Sequence, residues 1–139
     1  MKKVIICVSN DLENDQRVNR TALTLFESGY EVLVVGRKLS RSKQFSRAYS
    51  IFRFNMVFKK SMFFYAEYNI RLFFFLLFKH TDIVFSNDID TLPACWLAAR
   101  TRGRKLVFDS HELFSEVPEL TNRLAVKKFW IKMENLLIP

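Results

Sequence analysis

Half of the 139 residues are hydrophobic, 15 of them phenylalanine, which is enough for one domain with a sizeable core. Three glycines and three prolines argue against a many-turned all-β architecture, and two cysteines set inside apolar runs, Cys7 and Cys95, support neither a disulfide framework nor a CxxC zinc site. The formal charge is +8, from 22 basic against 14 acidic residues.

The N-terminus, MKKVIICVSND, begins like a signal peptide, but its apolar run is shorter than the roughly 7–15 residues an h-region needs. Residues 3–9 read instead as a continuous apolar strand, buried on both faces of a parallel sheet, in a cytoplasmic protein whose cysteines are reduced thiols. A polar loop follows over residues 10–15, in which Asn14 or Asp15 can cap a helix. In that helix Val18, Ala22, Leu25 and Phe26 share one face, and Gly29 stands where a C-cap belongs. Residues 31–36, EVLVVG, form a second buried strand, so the first three elements are a right-handed βαβ unit.

A basic loop at residues 37–49 leads to an alternating edge strand at 50–55. The spacing then predicts a helix over 61–79 that is apolar nearly all round, with Met62, Ala66, Ile70, Phe73 and Leu77 on one side and Phe64, Tyr68, Phe75 and Phe78 on the other. Such a helix needs cover on two sides. Its longest apolar run, residues 72–78, falls well short of the approximately 20 residues that span a bilayer. A fourth strand is expected at 82–86, a third helix at 92–100 with Pro93 in its first turn, a fifth strand at 105–109 and a last helix at 122–138. The chain ends where a βα series would deliver another strand, which reads as the ending of a fragment.

Charge is concentrated in the middle. No acid occurs between Glu31 and Glu67, while Arg37, Lys38, Arg41, Lys43, Arg47, Arg53, Lys59 and Lys60 supply eight positive charges, the whole net excess. A basic stretch of this kind attracts anionic surfaces, phosphorylated ligands or nucleic acid. Nucleic acid is the weakest of these, since the stretch has no organised reading element.

Five strands alternating with helices point to a doubly wound, Rossmann-like parallel sheet of order 3-2-1-4-5 in a three-layer α/β/α sandwich. Its ligand crevice lies outside the carboxyl ends of the strands, at the switch between strands one and four. The polar residues delivered there are Ser9, Asn10 and Asp11 after strand one, Ser86, Asn87 and Asp88 after strand four, and Asp109, His111 and Glu112 after strand five. Arg17 and Arg20, early in the first helix, can hold an anion near the same crevice. Neither GxGxxG nor GxxxxGK[ST] is present, so backbone cradling of a dinucleotide or triphosphate is not expected. Asp109, Ser110 and His111 have the composition of a triad but are adjacent in sequence, and His111-Glu112 lacks the HExxH spacing of a zinc site. An acidic cluster of Asp11, Asp88 and Asp109 would instead suit a divalent cation in a receiver-like switch domain.

The segments SNDLENDQRVNRTALTLFESGYEVLVVGR, NDIDTLPA and LVFDSHELFSEVPEL, followed by a helix ending FWIKMENLLIP, resemble in order the N-terminal domain of bacterial family 4 glycosyltransferases of the GT-B fold. The resemblance covers nearly the whole chain and is poorest over residues 38–60. It implies that residues 1–139 are the acceptor-side Rossmann-like half of an enzyme transferring a sugar, with retention of configuration, from a nucleotide-sugar donor to a glycan or lipid-linked acceptor in cell-surface polysaccharide synthesis. It also implies no metal and no cofactor, a separate donor-binding domain without which transfer does not occur, and a catalytic role for His111 facing the donor sugar. Asn10, Asp11, Arg17, Asn87, Asp88, Asp109 and Glu112 would bind acceptor and substrate, and the stretch from Arg37 to Lys60 would rest on the anionic inner face of the membrane. The alternative is a non-catalytic flavodoxin-like binding module that recruits a partner through the aromatic helix.

Overall fold

A computed structural model describes residues 1–39, 44, 46–58, 61–87 and 89–109. The last expected helix, together with Asp88, His111 and Glu112, lies outside the described residues. In chain order the elements are β1 (Lys3–Cys7), α1 (Gln16–Glu27), β2 (Glu31–Lys38), β3 (Ser50–Asn55), α2 (Ser61–Phe78), β4 (Ile83–Ser86), α3 (Leu92–Arg102) and β5 (Lys105–Phe108). The five strands form one sheet of order β3-β2-β1-β4-β5, every pair parallel. Helices cover both faces, as expected for the doubly wound fold.

The central strand β1 explains both layers. From Val4 through Val8, just past its end, the chain is apolar without interruption, and the side chains alternate between faces. Val4, Ile6 and Val8 pack with Val32, Val34, Val18 and Ala22 on the α1 side. Ile5 and Cys7 pack with Val35 and Val84 against α2 and α3 on the other. Each fully buried Val or Ile contributes about 1.5–3 kcal/mol relative to exposure, so β1 is the largest local source of stability among the strands.

Helix α1 starts where Asp15 accepts a hydrogen bond from the Val18 amide at 3.0 Å. It stops at Ser28, beyond which Gly29 adopts φ 94°, a conformation that suits glycine. Val18 and Ala22 are buried as expected, but Phe26 is 42% exposed, because the buried face of α1 is narrow and Phe26 falls at its margin. Helix α3 begins with Pro93 in its first turn and ends at Gly103 in the left-handed region.

In α2 the row that meets the sheet is Phe64, Tyr68, Leu72 and Leu76, spaced four residues apart and each at most 3% exposed. Of the row expected from Met62 to Leu77, Ala66 and Ile70 are exposed, and Phe78 of the other row is 81% exposed. Periodicity could not choose between faces of a helix apolar all round. The choice is made by shape, since edge strand β3 offers Phe52 and Phe54, and these rings pack on Phe75 and Tyr68 with centroids 5.0–5.9 Å apart.

Candidate functional site

The carboxyl ends of β1, β4 and β5 lie in register along one edge of the sheet. The Asn87 amide donates to Cys7 O at 3.1 Å, and the Asp109 amide donates to Ser86 O at 3.0 Å. The three polar stretches anticipated from sequence, so far as they are described, therefore leave the sheet side by side.

The loop after β1 is held from within. Asn10 donates from Nδ2 to Asp15 Oδ2 at 2.6 Å and accepts the Leu12 amide at 2.9 Å. Asp11 accepts the Glu13 amide at 3.3 Å, while its carbonyl takes a hydrogen bond from Arg53 at 3.2 Å. Leu12 stands at φ 70°, an unfavourable region for a branched side chain, and burial of that side chain to 5% exposure offsets the cost. The loop then folds back on β2, where the Arg37 amide donates to Asn10 O at 2.9 Å. Gly36 makes this approach feasible: a Cβ there would stand 2.5 Å from Asn10 O and 2.9 Å from Leu12 Cγ. Asn10 and Asp11 thus shape the rim, and Arg17 sits half-buried in the first turn of α1 beside it.

The segment after β4 is the most polar part of the interior. Of the five buried polar or charged residues among those described, four are Ser86, Asn87, Asp90 and Thr91. Asp90, 4% exposed, accepts a hydrogen bond from the Ser9 hydroxyl, which joins the first and fourth loops across the switch point. Ser86 and Thr91 hydroxyls meet at 2.8 Å, and Thr91 also reaches Cys7 O at 3.4 Å. Asn87 differs from its neighbours. It is 1% exposed, yet neither Nδ2 nor Oδ1 has a hydrogen-bond partner among the described residues. A buried amide left in this condition costs about 1–3 kcal/mol, and it offers one donor and one acceptor side by side.

Asp90 was not among the residues expected to form the site. The only trace of it in sequence is an acid two residues before a helix that starts Leu-Pro, where it reads as an ordinary cap. Its burial against Ser9 follows from the closeness of β1 and β4, a tertiary fact. His111, Asp88 and Glu112 fall outside the described residues, and Asp109 is half-buried at the rim.

Helix α2 braces this edge from below. The Tyr68 hydroxyl donates to Val8 O, and burial pushes its phenol well up, so it remains a donor throughout the physiological range. Asn69 donates to Asp90 O at 2.9 Å and accepts the Ala94 amide at 3.1 Å, fixing the start of α3. Cys7 and Cys95 are free and buried beneath the same rim. Burial first, and then the adjacent Cys95 sulfhydryl, raise the Cys7 thiol, which makes it a poor nucleophile.

Among the described residues no three His, Cys, Asp or Glu side chains are grouped to hold a metal ion. A polar cavity of about 460 Å³ opens at the opposite, amino-terminal edge, lined by His80, Thr81, Asp82, Thr101, Arg102 and Arg104. Its Arg104 guanidinium donates to Leu76 O and Lys79 O, closing the end of α2. Its place and its hydrogen bonds are those of a helix cap. No family model matches the sequence, and no curated protein matches it.

Proposed function

We propose that this domain is the acceptor-side half of a retaining GT-B glycosyltransferase, acting with a donor-binding domain that is not part of these residues. The observation that carries the reading is Asn87, a buried amide without a partner among the described residues, at the switch point of a doubly wound sheet. Adjacent donor and acceptor atoms of one amide suit neighbouring hydroxyls of a sugar, each of which both gives and takes a hydrogen bond.

The rest of the edge supports the same chemistry. Asp90 is tied to Ser9 and Thr91 to Ser86 in the segments next to Asn87, and rigid placement of an acceptor hydroxyl next to a donor carbon is a large part of what a transferase contributes. In this reading Asn87, Asp109 and Arg17 line the acceptor side with Asn10 and Asp11 shaping its wall; the acceptor-side roles of Asp88 and Glu112 and the donor-side role of His111 rest on the family resemblance alone, since these three lie outside the described residues. The nucleotide-sugar is a co-substrate whose phosphates are bound mainly by the other domain, in keeping with the lack of a glycine-rich loop after β1.

The test is a titration of the isotopically labelled chain with octyl glucoside below its micelle concentration, followed by amide NMR. Shifts confined to the Asn87 side chain and the backbone of Asn10, Asp90 and Asp109 are the expected result. Shifts confined to His80, Thr101 and Arg102 at the far edge, or none at all, would refute it.

A further inference from the structure

Helix α2 is the most apolar of the three described helices, although no helix among the described residues is long and apolar enough to cross a membrane. An asparagine in its middle is out of place, because asparagine is a poor helix former. The two carbonyl-bearing polar side chains of α2 have separate tasks. Glu67 closes the turn before the helix, accepting the amides of Val57 and Phe58 at 3.0 and 2.8 Å and Arg71 Nε at 2.7 Å. Asn69 points instead at the start of α3. Its Nδ2 donates to Tyr65 O and to Asp90 O, each at 2.9 Å, and its Oδ1 accepts the Ala94 amide at 3.1 Å. We infer, on the reading of Asn87 as a sugar contact, that Asn69 is a positioning residue for the crevice. It caps α3 from outside that helix, and so holds Asp90 and Thr91, and through them Asn87, in the setting that a sugar meets.

A helix start leaves its first amides without partners inside the helix. In α3 Pro93 has no N–H, the Leu92 amide donates back to Ile89 O at 3.2 Å, and the Cys95 amide begins the helical pattern on Thr91 O at 3.1 Å. The Ala94 amide remains. A threonine at the N-cap ordinarily takes that amide with its own hydroxyl, from an extended backbone. Thr91 stands at the N-cap with φ −100° and ψ −10°, in the helical region, and makes no side-chain cap bond. Its hydroxyl lies 2.8 Å from that of Ser86 and 3.4 Å from Cys7 O, the same carbonyl that receives the Asn87 amide at 3.1 Å. Asn87 and Thr91 thus meet β1 at one atom, and Asp90 accepts a hydrogen bond from Ser9 beside them. Asn69 permits this arrangement by supplying from α2 the acceptor that Thr91 does not supply locally. Without Asn69 the amide of Ala94, a residue 3% exposed, would lack that acceptor. Turning Thr91 to an extended backbone restores a cap, and takes its hydroxyl off Cys7 O next to Asn87.

Asn69→Ala, or Asn69→Leu where the alanine variant does not fold, is compared with the parent chain by NMR and by titration with octyl glucoside below its micelle concentration, at a temperature well below Tm. In the ligand-free variant the α- and β-carbon resonances of Thr91 should move from helical toward extended values and the Asn87 side-chain amide should shift, with Ile51 and Phe54 in β3 unmoved. Affinity for octyl glucoside should fall about fivefold, the effect of one weakened hydrogen bond. Thr91→Val should lower it by a similar factor, and the two substitutions together by no more than either, because both release the same contact. Losses that multiply in the double variant, or a fall in Tm with affinity as in the parent, would overturn the assignment and leave Asn69 an ordinary cap. Thr91 and Asn87 resonances that stay in place would overturn it whatever the sugar does. Failure of the parent to bind octyl glucoside refutes the sugar reading, while the hold of Asn69 on Thr91 and Asn87 stands or falls by the ligand-free resonances.

Discussion

Asn87→Ala separates a residue kept for a ligand from one kept for the fold. An ordinary buried, hydrogen-bonded asparagine loses about 1–3 kcal/mol when its amide is deleted, which in a domain of this size lowers Tm by roughly 3–10 °C. The Asn87 side chain makes no such bonds among the described residues, and its backbone amide, which does bond to Cys7 O, is retained in the variant. Deletion therefore removes a desolvation penalty of about the same size, 1–3 kcal/mol, and gives up only the van der Waals contacts of the truncated atoms. The two nearly cancel. Tm by scanning calorimetry should be unchanged or higher by a few degrees, whereas octyl glucoside affinity should fall about tenfold or more, the loss of one or two hydrogen bonds to a sugar. A drop of several degrees in Tm with affinity intact would refute the reasoning, because it would make the amide part of the scaffold.

Two further expectations concern the scaffold itself. Gly36→Ala places a Cβ against a backbone oxygen that cannot swing aside, so it should cost about 2 kcal/mol or more and loosen residues 9–12, seen as faster amide exchange there than in β4. Glu67→Gln weakens three hydrogen bonds to a carboxylate whose pKa is depressed in the folded state. The stability that carboxylate supplies is present above its unfolded pKa and is lost as pH falls through the folded one. The variant should accordingly be less stable near neutrality and converge on the parent in acid, and urea midpoints measured as a function of pH read this directly. A constant gap across that range would mean that charge at Glu67 plays no part.

Much of the fold could be read from the chain because its signals agree. β1 and β2 are built on the apolar runs 4–8 and 32–35, β3 alternates, and Asp15, Gly29 and Pro93 mark helix ends that the structure keeps. Strand order follows from these, since parallel connections have few permitted topologies. Two features could not be read. The orientation of α2 was hidden because nearly every position is apolar, and only the rings on β3 decide which row turns inward. Asp90 was hidden because an acid before a helix is common, and its burial depends on β1 lying beside β4. Sequence named three loops whose described parts leave one edge of the sheet, but it could not distinguish Asn10, whose amide is consumed by Asp15 and Leu12, from Asn87, whose amide has no partner among the described residues.

The paired sulfhydryls under the rim have a practical meaning. Cys7 belongs to the middle strand and Cys95 to the helix packed over it, and both are sealed from solvent. A thiol reagent can reach them only when that helix lifts away from the strand, so the rate of alkylation is an intrinsic clock for opening at the centre of the molecule. Slower alkylation in the presence of a sugar would register occupancy of the crevice without any label having been attached.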